Sequence, residues 1–254
     1  MRRFGYFIAL LICFTSCMTK RQLVYMQNDN LKEQVPVNTP NPYTPYKLQP
    51  HDVLSVKVQS DQPELSSIFN IVDPSSSFGF GEPGSMYITG YSIDQDGNIT
   101  LPSVGKLPVA GLTTKEAQDL IQKNVVRYIL DATVIVKLIS FKVSVLGEVR
   151  QPGYYYIYND RASILEGLAK AGDLTQVANR RNIKLIRQTP NGSETILLDL
   201  TDPNLTKSPY YHLMPNDALY IEPSKTQVDR DNIIVLNVVF TAISAAVLLL
   251  NYFK

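Results

Sequence analysis

The sequence predicts an α+β protein: two small mixed α/β domains followed by a C-terminal transmembrane helix. Three observations lead to this expectation. Apolar stretches occupy residues 4–14 and 233–253, strands with alternating apolar residues fill the middle, and each half carries one helical pattern between strand pairs. Two membrane attachments would confine the chain to a membrane–water boundary, which favours a structural or transport role over an enzyme in solution.

Residues 1–16 predict a bacterial lipoprotein signal peptide. Two arginines precede an apolar run of eleven residues, 4–14, which is too short to span a bilayer as a helix. Small residues then lead to Cys17, which we expect to be acylated and to begin the mature chain. An ordinary export signal with an incidental cysteine is the alternative. The residues after Cys17 are basic, without an acidic cluster, so we expect the lipid in an inward-facing leaflet.

Composition excludes several classes of function. The chain has 254 residues and a net charge of +1 with no basic run, which argues against nucleic acid as a partner. Its two cysteines, Cys13 and Cys17, leave the mature chain without a disulfide. There is no His/Cys cluster with metal-ligand spacing. We therefore expect neither a metal nor an organic cofactor.

The first predicted domain covers residues 42–140, after a linker over residues 17–41. Prolines in residues 36–50 predict an extended entry, and residues 53–59 alternate as in a half-buried strand. Residues 91–101 predict a hairpin about Asp96-Gly97. A calcium loop is the alternative there, but the acidic ligand at its far end is missing.

The first domain is expected to continue with a capped helix. Thr113 or Thr114 is the expected cap, with Glu116 in the first turn. Apolar residues at helical spacing predict its buried face: Ala117, Leu120, Ile121, Val125 and Tyr128. A strand over residues 134–139 closes the pattern.

The second predicted domain covers residues 141–223 and ends in a linker, residues 224–232. Its first strand begins at Phe141, and a short helix follows with Ser163 as N-cap and Gly172 as its stop. Asn191-Gly192 predicts a hairpin turn, and residues 219–221 a last strand. The pattern predicts a small α+β sheet with the helix on one face.

Several motifs together resemble one family. Residues 46–54, YKLQPHDVL, resemble the opening of the polysaccharide export domain of Wza-like outer-membrane export proteins, which usually have Gly where this chain has His51. Residues 91–105 are similar to that domain's hairpin, and residues 109–113 to its helix entry. Residues 145–153, VLGEVRQPG, resemble the start of a soluble-ligand-binding β-grasp (SLBB) domain. Residues 171–175 and 213–217 fit the later turns of that domain.

This resemblance implies a lipoprotein that forms a homo-oligomeric ring and carries capsular polysaccharide or exopolysaccharide from periplasm to cell surface. It implies an outer-membrane location with a lipid anchor and a large periplasmic portion. The implied partners are the polysaccharide, membrane lipid, and an inner-membrane polysaccharide co-polymerase or tyrosine kinase. Well-known members carry extra β-grasp repeats, whereas this chain has one, so the chamber height and subunit number are left open.

Residues 233–253 would form a helix of about 31 Å, enough to cross a hydrocarbon core. Four polar residues fall on one stripe of that helix: Asn237, Thr241, Ser244 and Asn251. The stripe has two interpretations: helix–helix contact or chance, or a barrel of helices from several copies with the stripe facing water or the next subunit. The alternative function is a periplasm-facing glycan-binding or adaptor lipoprotein with this helix as a simple anchor.

No motif predicts an enzyme, since nucleophile-elbow, phosphate-loop and zinc patterns are all missing from the sequence. We expect His51 and Asp52 to form a solvated turn, and Glu148 and Asp173 to cap or orient loops. Tyr154 and Tyr156 are candidates for stacking against sugar rings, although strand tyrosines also pack across sheets.

Overall fold

The computed structural model of the chain describes residues 24–28, 35–70, 89–189, 192–224, 238–243, 245, 246 and 249. Several predicted features lie outside the described residues: the signal peptide over residues 1–16, the acylated Cys17, and Asn237, Ser244 and Asn251 of the polar stripe.

The first domain contains an antiparallel sheet of three strands. β1 (Val53–Gln59) lies in the centre, between β2 (Tyr91–Ser92) and β5 (Thr133–Leu138). Alternate β1 residues are buried, as the sequence pattern predicts. The short helix α1 (Pro63–Ser67) follows β1.

The predicted hairpin over residues 91–101 is wrong, although its turn forms. The Asp94 amide donates to the Asn98 carbonyl at 2.8 Å, and the Asn98 amide donates to the Asp94 carboxylate at 2.8 Å. Beyond this turn the arms separate. The backbone groups of Ile93 are bonded to residues 51 and 52 at the start of β1, so β3 (Asn98–Leu101) pairs with β4 (Gly105–Pro108) instead.

Helix α2 (Thr114–Val125) is capped by Thr113, one of the two predicted caps, and Glu116 forms a capping box with it. Because the helix ends at Val125, Tyr128 is exposed and not on a buried face. Two α2 glutamines accept hydrogen bonds from the edge strand β5: Gln122 from the Val134 amide at 2.7 Å, and Gln118 from the Val136 amide at 3.3 Å. The helix thus covers an edge that would otherwise present unpaired amides.

In its described residues, the second domain is a five-stranded sheet with one α-helix and a short 3₁₀ helix (Leu205–Lys207), which confirms the predicted mixture of helix and strand. The strand order is β7-β6-β10-β8-β9, and β6 and β10 are the parallel pair. The elements are β6 (Lys142–Gly147), β7 (Gly153–Tyr156), α3 (Ile164–Lys170), β8 (Ala178–Thr189), β9 (Gly192–Leu198) and β10 (Ala218–Pro223).

Helix α3 covers one face of this sheet. Ser163 caps it by accepting the Glu166 amide at 3.2 Å, and Gly172 follows it with φ of 74°, as expected of a helix stop. Ile164 and Leu168 pack among the buried residues of the sheet. Gly147, with φ of 88°, ends β6 so close to β10 that a Cβ there would lie 2.0 Å from the Ile221 carbonyl oxygen. Only glycine fits that crossing.

Within the described ranges, no helix is long and apolar enough to cross a membrane. Residues 238–243 are helical, with Val238, Phe240 and Ile243 exposed. Most other residues of the predicted helix over 233–253 lie outside the described part of the chain, and the helix stays a prediction.

Candidate functional site

The two domains are joined by three residues, Ile139 to Phe141, which the first domain holds firmly. The Ile139 amide donates to the Val53 carbonyl at 3.0 Å, and the Val53 amide donates to the Ser140 hydroxyl at 3.0 Å. Phe141 is buried in the core of the second domain. Because the connection is only three residues long and is hydrogen-bonded to β1, surfaces of both domains meet beside it.

Asp52 is buried at this junction, so the expected solvated turn at His51 and Asp52 is wrong. One carboxylate oxygen accepts from the Tyr46 hydroxyl and the Gln49 amide, both at 2.9 Å, and the other from the Ser140 hydroxyl at 3.4 Å. Burial raises the pKa of the Asp52 carboxyl, and these hydrogen bonds oppose the rise. Asp52 therefore connects both the entry segment, residues 36–50, and the interdomain connection, residues 139–141, to β1.

A second buried aspartate, Asp217, holds the loop before β10. Arg187 of β8 donates to both of its oxygens, at 2.9 Å from Nε and 2.7 Å from Nη2, and the Met214 amide donates at 2.7 Å. Arg187 also donates to the His212 carbonyl at 3.0 Å. Burial raises the pKa of the Asp217 carboxyl, and the guanidinium opposes that rise. This pair fixes the loop that reaches the domain junction.

A polar cavity of about 350 Å³ lies at the junction, and we call it the junction cavity. His51 and Gln49 line it from the first domain, and Lys142, Tyr156 and Asn216 line it from the second. The buried Asp52 lies in its wall. Both domains therefore contribute to one concave surface, and ligand sites occur preferentially at domain interfaces.

The two tyrosines predicted to contact sugar lie beside this cavity. Tyr154 and Tyr156 are on one face of the edge strand β7, with ring centroids 6.3 Å apart and their planes 82° apart. Tyr154 is exposed and Tyr156 is half-buried, whereas Tyr155 faces the core. The structure places both rings where a passing ligand can reach them. Their role as sugar contacts stays a prediction.

A smaller cavity of about 240 Å³ lies where the entry segment crosses to the second domain. The Tyr43 hydroxyl donates to the Asp160 carbonyl at 3.0 Å, with the Arg161 guanidinium 4.6 Å from its ring centre. The His212 ring pairs with the Asn41 side chain at 2.9 Å, and its Nδ1 is buried without a partner in the described residues. The entry segment thus contacts both domains.

Residues 24–28 also dock on the second domain. The Met26 and Gln27 amides donate to the Leu200 and Thr201 carbonyls at 2.8 and 2.9 Å. The Tyr25 hydroxyl donates to Asp173, and burial raises the pKa of that phenol. Asp173 also accepts the Leu174 amide at 2.7 Å, so it orients a loop, as expected.

The remaining sequence-predicted residues are not brought into one site. Glu148 accepts from the Thr175 hydroxyl at 2.7 Å, which is the loop-orienting role expected of it. Thr241 lies on the exposed helical turn of residues 238–243, far along the chain from the junction. In the part of the chain that the structure describes, no group of His, Cys, Asp and Glu could hold a metal ion.

Sequence reasoning missed the buried Asp52 and Asp217 and the lysine and asparagine of the junction cavity. A usable signal was present, because the spacing Leu-x-Pro-x-Asp-x-Leu occurs at residues 48–54 and again at residues 213–219. Because the same turn precedes a strand at both places, its repetition would have indicated that both aspartates have a structural role. No local signal indicates that Lys142 and Asn216 meet His51.

Comparison with protein families matches two models in succession. Residues 40–139 match the polysaccharide biosynthesis/export protein family, and residues 142–197 match the SLBB domain. The chain thus carries a polysaccharide export domain followed by an SLBB domain, as its resemblance to Wza-like export proteins predicts. The family resemblance found in the sequence is thereby confirmed.

Two relatives share this region. The EPS I polysaccharide export outer membrane protein EpsA of Ralstonia nicotianae is 32% identical over 151 residues, which are 57% of this chain and 39% of that protein. The protein of the same name from Ralstonia solanacearum is 30% identical over 164 residues, 61% of this chain and 41% of that protein. The match thus spans about two fifths of the length of these relatives.

Proposed function

We propose that this chain is an outer-membrane lipoprotein that exports capsular polysaccharide or exopolysaccharide from the periplasm to the cell surface. The observation that carries the proposal is the succession of a polysaccharide export domain and an SLBB domain along residues 40–197. The relatives, which are named as polysaccharide export outer membrane proteins, support both the cargo and the membrane.

Transport of this kind needs contacts and a passage but no covalent step. The buried carboxylates agree with that requirement, because Asp52 and Asp217 have both oxygens engaged by the protein itself. Neither is placed as a free acid or base in the junction cavity. The exposed ring of Tyr154 and the half-buried ring of Tyr156 suit weak stacking on sugar rings, so that a long polysaccharide can bind and still slide past.

Residues 24–28 and strand β10 both belong to the second domain's packing, which supports an orientation. Residue 24, the first described, is seven residues after Cys17, so an extended chain spans at most about 25 Å from the lipid to the second domain. β10, the last strand of the same domain, ends at Pro223, ten residues before the predicted helix. We infer that the second domain lies nearest the membrane and the first domain extends into the periplasm.

We further propose that several copies form a ring whose C-terminal helices make the outer-membrane passage. Exposed apolar side chains on residues 238–243 support a helix covered by lipid or by another copy. In this arrangement Asn237, Thr241, Ser244 and Asn251 face water or the next subunit, because polar side chains facing lipid are costly. An inner-membrane co-polymerase or tyrosine kinase is the proposed periplasmic partner, which would deliver the growing chain.

Gene deletion and complementation test the export function. In the bacterium that encodes the chain, we expect deletion to abolish surface and secreted polysaccharide while periplasmic polysaccharide accumulates, with export restored by the intact gene. A Cys17→Ser variant should restore little, because its lipid anchor is lost. Unchanged secretion after deletion would refute the proposal.

Imaging of the acylated protein in mild detergent tests the ring. We expect a closed ring with the helices gathered at one end. A monodisperse monomer would instead favour the glycan-binding or adaptor function with the helix as an anchor.

A paired substitution tests the passage itself. Asn237→Leu with Ser244→Leu should reduce export while leaving the ring intact, since it removes two polar groups from the stripe. The matched control, Val239→Leu with Ile243→Leu, changes two exposed apolar residues of the same helix and should leave export unchanged. Full export by the first pair would contradict a water-lined passage.

A further inference from the structure

The junction cavity contains five polar side chains without a hydrogen bond or ion pair in the described ranges. They are Gln49 and His51 from the first domain and Lys142, Tyr156 and Asn216 from the second. Elsewhere at the junction, the polar side chains of Tyr46, Asp52 and Ser140 are bonded to one another. These five side chains are therefore available to form hydrogen bonds with a ligand.

Sheet pairing and one backbone hydrogen bond hold three of these residues side by side. Lys142 of β6 and Tyr156 of β7 are direct partners in the antiparallel ladder, so their side chains share a face about 5 Å apart at Cβ. The Asn216 amide donates to the Lys142 carbonyl at 2.8 Å. An ammonium, an aromatic ring and a carboxamide are thus neighbours at one sheet edge.

The exposed charge in the junction cavity is positive. Both Asp52 oxygens accept hydrogen bonds from the protein, and Asp52 is only 4% exposed, so neither oxygen is free to contact a ligand. Among the described residues, the Lys142 ammonium has no hydrogen-bond or ion-pair partner. The smaller cavity differs, because its lysine, Lys115, is already paired with Asp119 along α2. Of the two cavities, the junction cavity is the one that suits an anionic ligand.

We propose that the junction cavity binds a hexuronic acid unit of the exported polysaccharide. The sugar ring stacks on Tyr156, its carboxylate pairs with Lys142, and its hydroxyls bond to the side chains of Asn216 and His51. A cavity of about 350 Å³ suits one or two sugar units. The inference rests on the proposed function, since it names the chemistry of the cargo. It assigns cargo selectivity to the junction cavity, which both domains line.

Binding of two matched oligosaccharides to the full acylated protein in detergent tests the inference. The probes are an α-1,4-linked galacturonic acid hexamer and maltohexaose, an α-1,4-linked glucose hexamer without carboxylates. We expect calorimetry to give the acidic hexamer a dissociation constant about fivefold lower, an advantage that a tenfold rise in NaCl concentration removes by screening.

Three variants assign the effect to residues. Lys142→Ala should weaken the acidic hexamer about fivefold and change maltohexaose binding by less than about twofold. Tyr156→Ala should weaken both hexamers, because stacking does not need charge. Lys57→Ala is the matched control: it removes another exposed strand lysine that lies outside both cavities, and it should change neither constant.

The outcomes separate this inference from the proposed function. Equal binding of the two hexamers, or an unchanged acidic constant in Lys142→Ala, would overturn the uronic acid assignment, and failure of both hexamers to bind would overturn the site. Polysaccharide export is scored independently by the gene deletion. Loss of export on deletion together with any of these results would leave the export function standing and remove only the site.

Discussion

The same turn occurs twice in the chain, once immediately before β1 of the first domain and once immediately before β10 of the second. Residues 48–54, LQPHDVL, lead into β1, and residues 213–219, LMPNDAL, lead into β10. In both turns the aspartate accepts the backbone amide of the residue three before it, at 2.9 Å in the first turn and 2.7 Å in the second. The residue before the aspartate has a positive φ in both, 73° at His51 and 65° at Asn216.

The partners of the two aspartates differ. Asp52 is bonded by neutral groups, the Tyr46 and Ser140 hydroxyls, whereas Asp217 is bonded by the Arg187 guanidinium. The shared turn therefore sets the backbone and buries a carboxylate, and the surrounding domain decides how its charge is satisfied. Asp52 joins the two domains, while Asp217 joins a loop to β8 within one domain.

The largest expected effect comes from removing the guanidinium. Arg187→Met should lower the free energy of unfolding by about 3–5 kcal/mol, because Asp217 is left as an unpaired buried charge. Urea denaturation followed by circular dichroism measures the change. Arg181→Met, on the same strand but exposed, is the control and should change stability by less than about 0.5 kcal/mol.

A double variant shows whether charge is the cause. Arg187→Met with Asp217→Leu should recover much of the loss, since both members of the buried pair are then apolar. A double variant as unstable as the single one would mean that packing, and not the unpaired carboxylate, explains the loss.

Removing the carboxylate at the junction should have a smaller effect. Asp52→Ala leaves the Tyr46 hydroxyl and the Gln49 amide without their acceptor and should cost about 2–3 kcal/mol. Because Asp52 also holds Ser140, we expect faster proteolytic cleavage at residues 139–141 under native conditions. Asp61→Ala, an exposed aspartate of the same domain, should change neither measurement. Unchanged cleavage in Asp52→Ala would contradict its role at the junction.

Much of this fold follows from local sequence signals. The capping box at Thr113, the cap at Ser163 and the alternation in β1 each depend on residues a few positions apart, and the structure confirms them. The hairpin prediction over residues 91–101 failed because strand pairing is decided between distant residues. There, Ile93 finds its partners at residues 51 and 52 and not across the turn.

The junction cavity could not be predicted for the same reason. His51 and Asn216 are 165 positions apart, and they line one cavity only because a three-residue connection brings the two domains together. Local signals indicated Tyr154 and Tyr156 as candidate sugar contacts, and the structure places both rings on one face of β7. The cation beside them is supplied by the pairing of β6 with β7, which sequence spacing does not reveal.

The positive φ before each aspartate gives the next test. His51→Gly should raise the free energy of unfolding by about 1 kcal/mol. The left-handed backbone conformation is strained for a residue that has a Cβ, and glycine has none. Asn216→Gly should change it by less, because asparagine tolerates this conformation better than histidine. Thermal and urea unfolding of both variants measure the difference. An equal gain at both positions would mean that the turn and not the residue type sets the strain.

The smallest expected effect is a difference between Asp52 and Asp217 in how each carboxylate makes the free energy of unfolding depend on pH. Burial raises the pKa of Asp52 in the folded protein, so the folded state takes up this proton at a higher pH than the unfolded chain does. The stability that this group contributes is therefore fully present below its unfolded pKa and is lost as pH rises through its folded pKa. Relative to Asp52→Asn, the unaltered protein should gain stability between about pH 7 and about pH 4. Asp217→Asn should show a smaller change, because the Arg187 guanidinium opposes the rise at Asp217. Urea unfolding across that range measures both slopes, and a deficit of Asp52→Asn that shrinks on acidification would show that its hydrogen bonds outweigh its burial.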